Sequence, residues 1–443
     1  MRTNTRTTDC LIEPGDPAWT AATGTFDLTV AQEPALVALP ETEADVVAVV
    51  DFAREHGMQV APQRTGHNAK PLGPLDDTIL LRTDRLQGVE LDLDRRVARV
   101  RAGARWEDVV PAASAAGLAA LHGSTPDVSV AGYALGGGVG WYARKHGLCA
   151  NSVEAVELVT ADGRLRRVDR DHDPDLFWAL RGGGGSFGVV TALEIGLLPI
   201  REVYAGVLFF DWERAAEVLG TWLEWCETAP DEVTSVGRIL QLPPFEHLPP
   251  ALRGRRFAAV DAVVLGDEGA GRDILAPLRA LGPEIDTFSM RPPAGIAELH
   301  MDPRQPVAGV TDSMMLGDLP PEAIDRFLDV VGPGSGSRLL VADLRHVGGA
   351  LRRSQPHHGA LSTLDASFLT MGVGIAADPD SRDRLLAVAD ALAPYDNGRR
   401  YSNFAERRTD PARFFGAGVH RRLRAVKAVV DPRGVIRGNH PIA

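Results

Sequence analysis

Apolar and polar positions follow two rhythms along this chain, and the shifts between them mark its parts. Ala35–Leu39 (ALVAL) is a short apolar run and reads as a strand. After Thr42, the residues Val46, Val49, Val50 and Ala53 recur at the spacing of one helical face. Thr42 and Asp45 form a capping box at the start of that helix, and Gly57 stops it. Met58–Pro62 and Thr78–Leu81 read as strands. Val89–Leu93 and Val97–Ala102 form a hairpin about Asp94-Arg95. Trp106–Ala116 is helical, with Pro111 limiting its regularity. Val153–Thr160 and Leu165–Val168 flank Ala161-Asp162-Gly163, a second hairpin. Asp173–Leu180 is a short helix, Phe187–Leu197 is β-rich, and Pro199 closes the unit.

From Tyr204 the pattern changes. Strand-like runs (Tyr204–Phe210, Ala258–Leu265, Arg338–Asp343, Ser367–Gly374) alternate with helical ones (Trp212–Glu227, Gly271–Leu281, Glu322–Val331, Asp380–Ala393). This predicts an α+β layer, a sheet with helices over one face. The tail carries RRYSNF at Arg399–Phe404, a helix over Gly418–Val430 and the ending GNHPIA, a composition suited to packing. Four parts result: a polar arm over 1–30, a first domain over 31–200, a second over 201–395, and a segment over 396–443 returning to the first.

Composition narrows the function classes. The chain has 443 residues and a formal net charge of −12, unlike the basic surface that nucleic acid demands. No apolar run reaches the length of a membrane span, and the N-terminus shows no secretory h-region. Cys10, Cys149 and Cys226 are few and widely spaced, which points away from a disulfide framework or zinc and towards a reducing cytoplasm.

The densest chemistry lies in GSTPDVSVAGYALGGGVG, Gly123–Gly140, with six glycines. Glycine lets backbone approach a ligand closely, and successive N–H groups can cradle an anion. A phosphate loop is excluded, because Lys145 is followed by His146 rather than Ser or Thr. Gly138, Gly140 and Ala143 fit the dinucleotide pattern, with Glu154 and Glu157 beyond, but the chain then turns into a hairpin instead of the required helix. A second tight turn, Gln63-Arg64-Thr65-Gly66-His67, places an imidazole at a strand end, as a surface residue or as a nucleophile or base.

Four motifs in order resemble one family. QRTGH, GYALGGGVG, RKHGL (Arg144–Leu148) with Asn151, and RGGGGSFGVVT (Arg181–Thr191) are joined by Y-x-N-F and a terminal N-x-x-I. Together they resemble the berberine-bridge-enzyme-like FAD-linked oxidases of the vanillyl-alcohol-oxidase, or PCMH, type. The resemblance implies a two-part FAD-binding domain plus a substrate domain whose antiparallel sheet is covered by helices. It implies FAD bonded covalently through His67. It implies no cysteinyl link, since Thr125 stands where many relatives carry the cysteine. Gln63, Arg64, Thr65, Gly66, Asn68, Ser124, Thr125, Ala131, Gly132, Tyr133, Gly136, Gly137, Gly138 and Gly140 would hold the cofactor. Asn151, Gly185, Gly188 and Val190 would line its adenine end, and Asn403 would bind the flavin or fix its loop. Val128 would sit at the reactive flavin edge in an oxygen-admitting form. Tyr401 would be the catalytic base over the ring, with Tyr142 a weaker candidate. The second domain offers Asp312, Arg345, His346, His357 and His358, each read more readily as a strand-end or surface group; no metal site is expected.

The expected function is oxidation of a small organic molecule, as in tailoring of a secondary metabolite. Hydride would go to flavin N5 and electrons to O2, giving H2O2. A flavin dehydrogenase with another acceptor, a non-oxidative cyclase or binding protein, and a nicotinamide reductase are the rivals. The expected state is a monomer or homodimer in the cytoplasm, free of membrane and nucleic acid.

Overall fold

A computed structural model describes residues 10–246 and 248–442. Three sheets organise it. The first has four strands in the order Leu11–Ile12, Leu36–Ala38, Thr78–Arg82, Gln59–Gln63, the last three parallel. Helix Glu43–His56 connects two of them. Thr42 caps it through the Asp45 N–H, and Gly57 closes it in the left-handed region at φ 69°. The second sheet is antiparallel, in the order Val89–Asp92, Val97–Arg101, Val189–Gly196, Val153–Val159, Leu165–Asp169. Both hairpins anticipated above lie in it.

The third sheet has eight antiparallel strands, with Val203–Asp211, Arg256–Val264, Val233–Gln241, Val341–His346, Phe368–Ile375 and Gly309–Leu316 adjacent in that order. Helices Ala215–Thr228, Glu268–Arg279, Pro321–Val331 and Ser381–Leu392 follow its strands, and their buried residues share a core with one of its faces. Alternation along the strands shows what each face meets. Tyr204, Leu208 and Phe210 pack with the helices, while Val203, Ala205, Val207 and Phe209 join the core of the first two sheets. The sheet is therefore buried on both sides, between its helices and the rest of the molecule.

That burial explains what the sequence pattern concealed. Strands Val233–Gln241 and Gly309–Leu316 lack a solvent face, so no simple polar alternation marks them. Elements are added in two stretches and the bounds of one helix are corrected. From residue 10 the arm holds strand Leu11–Ile12 and helix Trp19–Ala22, while residues 1–9 lie outside the described chain. The Gly-rich stretch contains a helix, Val130–Leu135, capped by the Ser129 hydroxyl. The tail helix runs from Ala412 to Val430 and breaks at Gly416, whose φ is 74°.

Candidate active site

One cavity of about 380 Å³ lies where the first unit, the tail and the large sheet meet. Its walls are the 63–68 turn, the Gly-rich stretch from Gly123 to Val139, Gly183–Val190, tail residues from Tyr401 to His440, and Arg345. The first turn is fixed by close packing. Gly66 has φ 75°, and a Cβ there would come within 3.1 Å of the Thr25 backbone. Gln63 pairs with Gln32 through two amide hydrogen bonds of 2.8 and 3.0 Å. Arg64 donates to the Gly103 carbonyl and to Asp84. The His67 ring lies flat on Phe26, 3.7 Å between centroids, with Nδ1 2.8 Å from the Thr65 hydroxyl. Burial holds His67 down to about 4, so its imidazole is neutral at pH 7.

Most of the anticipated residues line this cavity, from Gln63 to Asn68, with Ser124, Thr125, Val128, Ala131, Gly132, Tyr133, Gly136, Gly185, Gly188, Val190, Tyr401 and Asn403. Gly137, Gly138, Gly140 and Asn151 do not. A Cβ on Gly138 would lie 2.5 Å from the Tyr133 ring, and one on Gly140 only 1.8 Å from the His122 carbonyl. These glycines permit close packing behind the wall. Asn151 spans the 359–362 turn, accepting from Gly359 N–H and donating to Ser362 O. Tyr142 also lies off the cavity. It is 1% exposed, with its ring edge-on to His122.

Tyr401, the residue expected as the base, lines the cavity with its hydroxyl already engaged. Its hydroxyl oxygen accepts from Gly138 N–H at 2.9 Å, Val139 N–H at 3.0 Å and Asn403 Nδ2 at 3.0 Å. Burial pushes the phenol well above its ordinary range. The side chain thus pins the tail to the Gly-rich stretch. Asn403 adds a bond to the Tyr133 carbonyl. The next aromatic, Phe404, lines the cavity beneath the Arg345 guanidinium at 5.1 Å.

Among the second-domain candidates only Arg345 lines the cavity. Period two decides this: Leu344 faces the helices and Arg345 the opposite side, while His346 turns back to stack on Phe368. Asp312 pairs with Arg407, and His358 bonds the Ser362 carbonyl. Behind Arg345 lies a buried charge network that the sequence did not reveal. Arg345 grips Asp343, His300 joins Asp261 at 2.9 Å, and Arg238 joins Asp261 at 2.7 Å. Arg345 Nη2 also lies 3.1 Å from His300 Nε2. Asp302 accepts from Ser124 and Thr125, tying the Gly-rich stretch to the second unit. The sequence carried no signal for this group, because its members are scattered over more than 100 residues. Further wall residues, Phe414, Phe415, Asn439 and His440, come from the tail.

Comparison with known proteins places this architecture. Residues 34–169 match a family described as an FAD binding domain. (R)-6-hydroxynicotine oxidase of Paenarthrobacter nicotinovorans is 28% identical over 98% of this chain and 96% of its own. This chain carries an FAD-binding domain and has the PCMH-type fold. A solved structure of a Physcomitrella patens BBE-like protein shares the oxidoreductase fold, with TM-score 0.85, 19% identity and 99% of each chain covered. So does glucooligosaccharide oxidase from Acremonium strictum, described with a 6-S-cysteinyl, 8α-N1-histidyl FAD. Its TM-score is 0.84, with 23% identity over 98% of this chain and 97% of that one.

The lining of the cavity fits FAD. Among the described residues lining the cavity there is no carboxylate to repel a dinucleotide's phosphates. At Gly184 and Gly185 an added Cβ would meet nothing within 4 Å, so bare backbone faces the space. Asn68 Oδ1 and the Tyr133 hydroxyl, both buried, have no protein partner. Among the described residues there is no group of three metal-ligating side chains and no helix able to cross a membrane.

Proposed function

We propose that this protein is an FAD-dependent oxidase of a small organic substrate, with FAD held covalently by His67 alone and O2 as electron acceptor. The observation that carries the reading is the carboxylate-free, glycine-walled cavity roofed by a sheet that presents Arg345. (R)-6-hydroxynicotine oxidase, similar over nearly the whole chain, supports it.

Bound FAD supplies the hydride acceptor and the route to O2. The chain's own residues do the rest. Gly183–Gly185 and the turn at 63–68 offer backbone to the cofactor, and Tyr401 and Asn403 lock the tail against the Gly-rich stretch. Thr125 lines the cavity without a thiol, and none of Cys10, Cys149 and Cys226 reaches it, which supports a single histidyl link. Val128 also lines the cavity, and its small side chain leaves room for O2. Arg345 and Phe404 give the substrate a cationic and an aromatic surface. The compartment proposed is the cytoplasm.

The test is spectroscopic. The purified protein should be yellow, and acid should precipitate the colour with the polypeptide. Enzyme reduced by substrate should reoxidise in air within seconds and release one H2O2 per flavin. Colour confined to the acid supernatant would remove the covalent link; reoxidation over many minutes would remove the oxidase.

A further inference from the structure

His67 has a buried carboxylate aimed at it from the Gly-rich stretch. Asp127, 5% exposed, places Oδ2 3.5 Å from His67 Nε2. His67 Nε2 and Asp127 Oδ1 are both buried with no hydrogen-bond partner. Such orphaned atoms are expensive in a native structure and ask for a role. Thr65 approaches the other ring nitrogen at 2.8 Å.

The hydrogen-bond inventory selects one tautomer. A carboxylate can only accept, so the proton facing Asp127 sits on Nε2. A hydroxyl can donate, so Thr65 turns its O–H to the lone pair on Nδ1. The imidazole is then neutral, with a nucleophilic Nδ1 on one side and a proton acceptor on the other. Phe26, stacked on its face, fixes the plane. This is the arrangement of an activated nucleophile, a base held against the group that attacks.

We infer that Asp127 is the positioning residue and proton acceptor for attachment of FAD to His67, an inference that rests on the covalent reading above. In the step, His67 Nδ1 bonds to the flavin 8α carbon and one bond from that carbon to hydrogen breaks. The proton from carbon leaves to solvent, and the Nε2 proton passes to Asp127. Two electrons remain in the ring system and are taken by O2, which becomes H2O2. The charge states fit: burial pushes Asp127 up to about 6 and His67 down to about 4, so at pH 7 one is a carboxylate and the other neutral. Arg105, Glu107 and Asp302 also act on Asp127.

The test uses purified holoprotein and reads acid-precipitable flavin against total bound flavin. In saturating FAD, Asp127→Asn should keep FAD bound, while the acid-stable fraction falls at least tenfold. Asp127→Glu, which keeps a carboxylate, should recover most of it. An acid-stable fraction in D127N within twofold of wild type overturns the role of Asp127 and leaves the covalent link standing. Wild-type flavin that stays wholly in the supernatant overturns both. If D127N does not retain FAD, D127S is read in the same way. A D127E protein that binds FAD yet attaches none also overturns the inference.

Discussion

At the scale of single residues, two side chains carry sharp expectations. Val128 lines the cavity, and one further methylene there would narrow the route for O2. Val128→Ile should keep the flavin bound but slow reoxidation of the reduced enzyme about tenfold, read by stopped flow; an unchanged rate would place the oxygen route elsewhere. Asp127 bears on pH. It accepts a proton only as a carboxylate, and its pKa is pushed up to about 6. His67 stays neutral down to about 4, so it does not interfere above that. Covalent incorporation into cofactor-free protein should therefore fall as pH drops through about 6, which a time course of acid-stable flavin checks. The sequence exposed His67 because its neighbours form a recognisable turn. It did not expose the role of Tyr401, since only coordinates show three donors on its hydroxyl. Nor did it separate Arg345 from His346, adjacent residues that point to opposite faces.

At the scale of elements, the glycines divide into two kinds that spacing could not distinguish. Gly140 is pressed against the His122 carbonyl, whereas Gly185 opens on the cavity. Gly140→Ala should destabilise the fold by about 3 kcal/mol or more, as overpacking does. Gly185→Val should leave the melting temperature of the cofactor-free protein nearly unchanged yet weaken FAD binding at least tenfold by titration. If both variants behave alike, the division fails. The large sheet makes its own prediction. Arg238 is 1% exposed and neutralises Asp261, which is 0% exposed. Arg238→Met should cost about 3 kcal/mol in denaturant unfolding, because it leaves the buried Asp261 carboxylate with His300 as its remaining partner. Elements with local signals were legible, such as the helix after Thr42 and the hairpin at Asp162-Gly163. Strand Val233–Gln241 was not, because Arg238 and Gly237 interrupt a run that is apolar on both faces.

At the scale of the whole molecule, the first unit and the tail are tied together behind the cavity. Val60 N–H bonds the Val435 carbonyl, Asn439 donates to Asn68 O, and Lys427 holds the Ser186 and Ile436 carbonyls. Cofactor occupancy should therefore be felt globally. In His67→Ala the melting temperature should climb with added FAD, by the equivalent of about 2.7 kcal/mol at a hundredfold excess over Kd. In wild type it should be flat; a rise in both would mean that no bond forms. The fold class was readable because its motifs are contiguous, while the meeting of Asp302 with Thr125 joins positions 177 residues apart. The large sheet, occupied on both sides, carries a last consequence. Sliding strand Val341–His346 by a single position would swing Asp343 and Arg345 among aliphatic helices and bring Leu344 over the cavity. Strand length is thus under as strict a constraint as residue identity. Insertions and deletions in homologous chains should collect in connectors such as 248–255, and a one-residue insertion at 260 should yield inclusion bodies rather than a weaker enzyme.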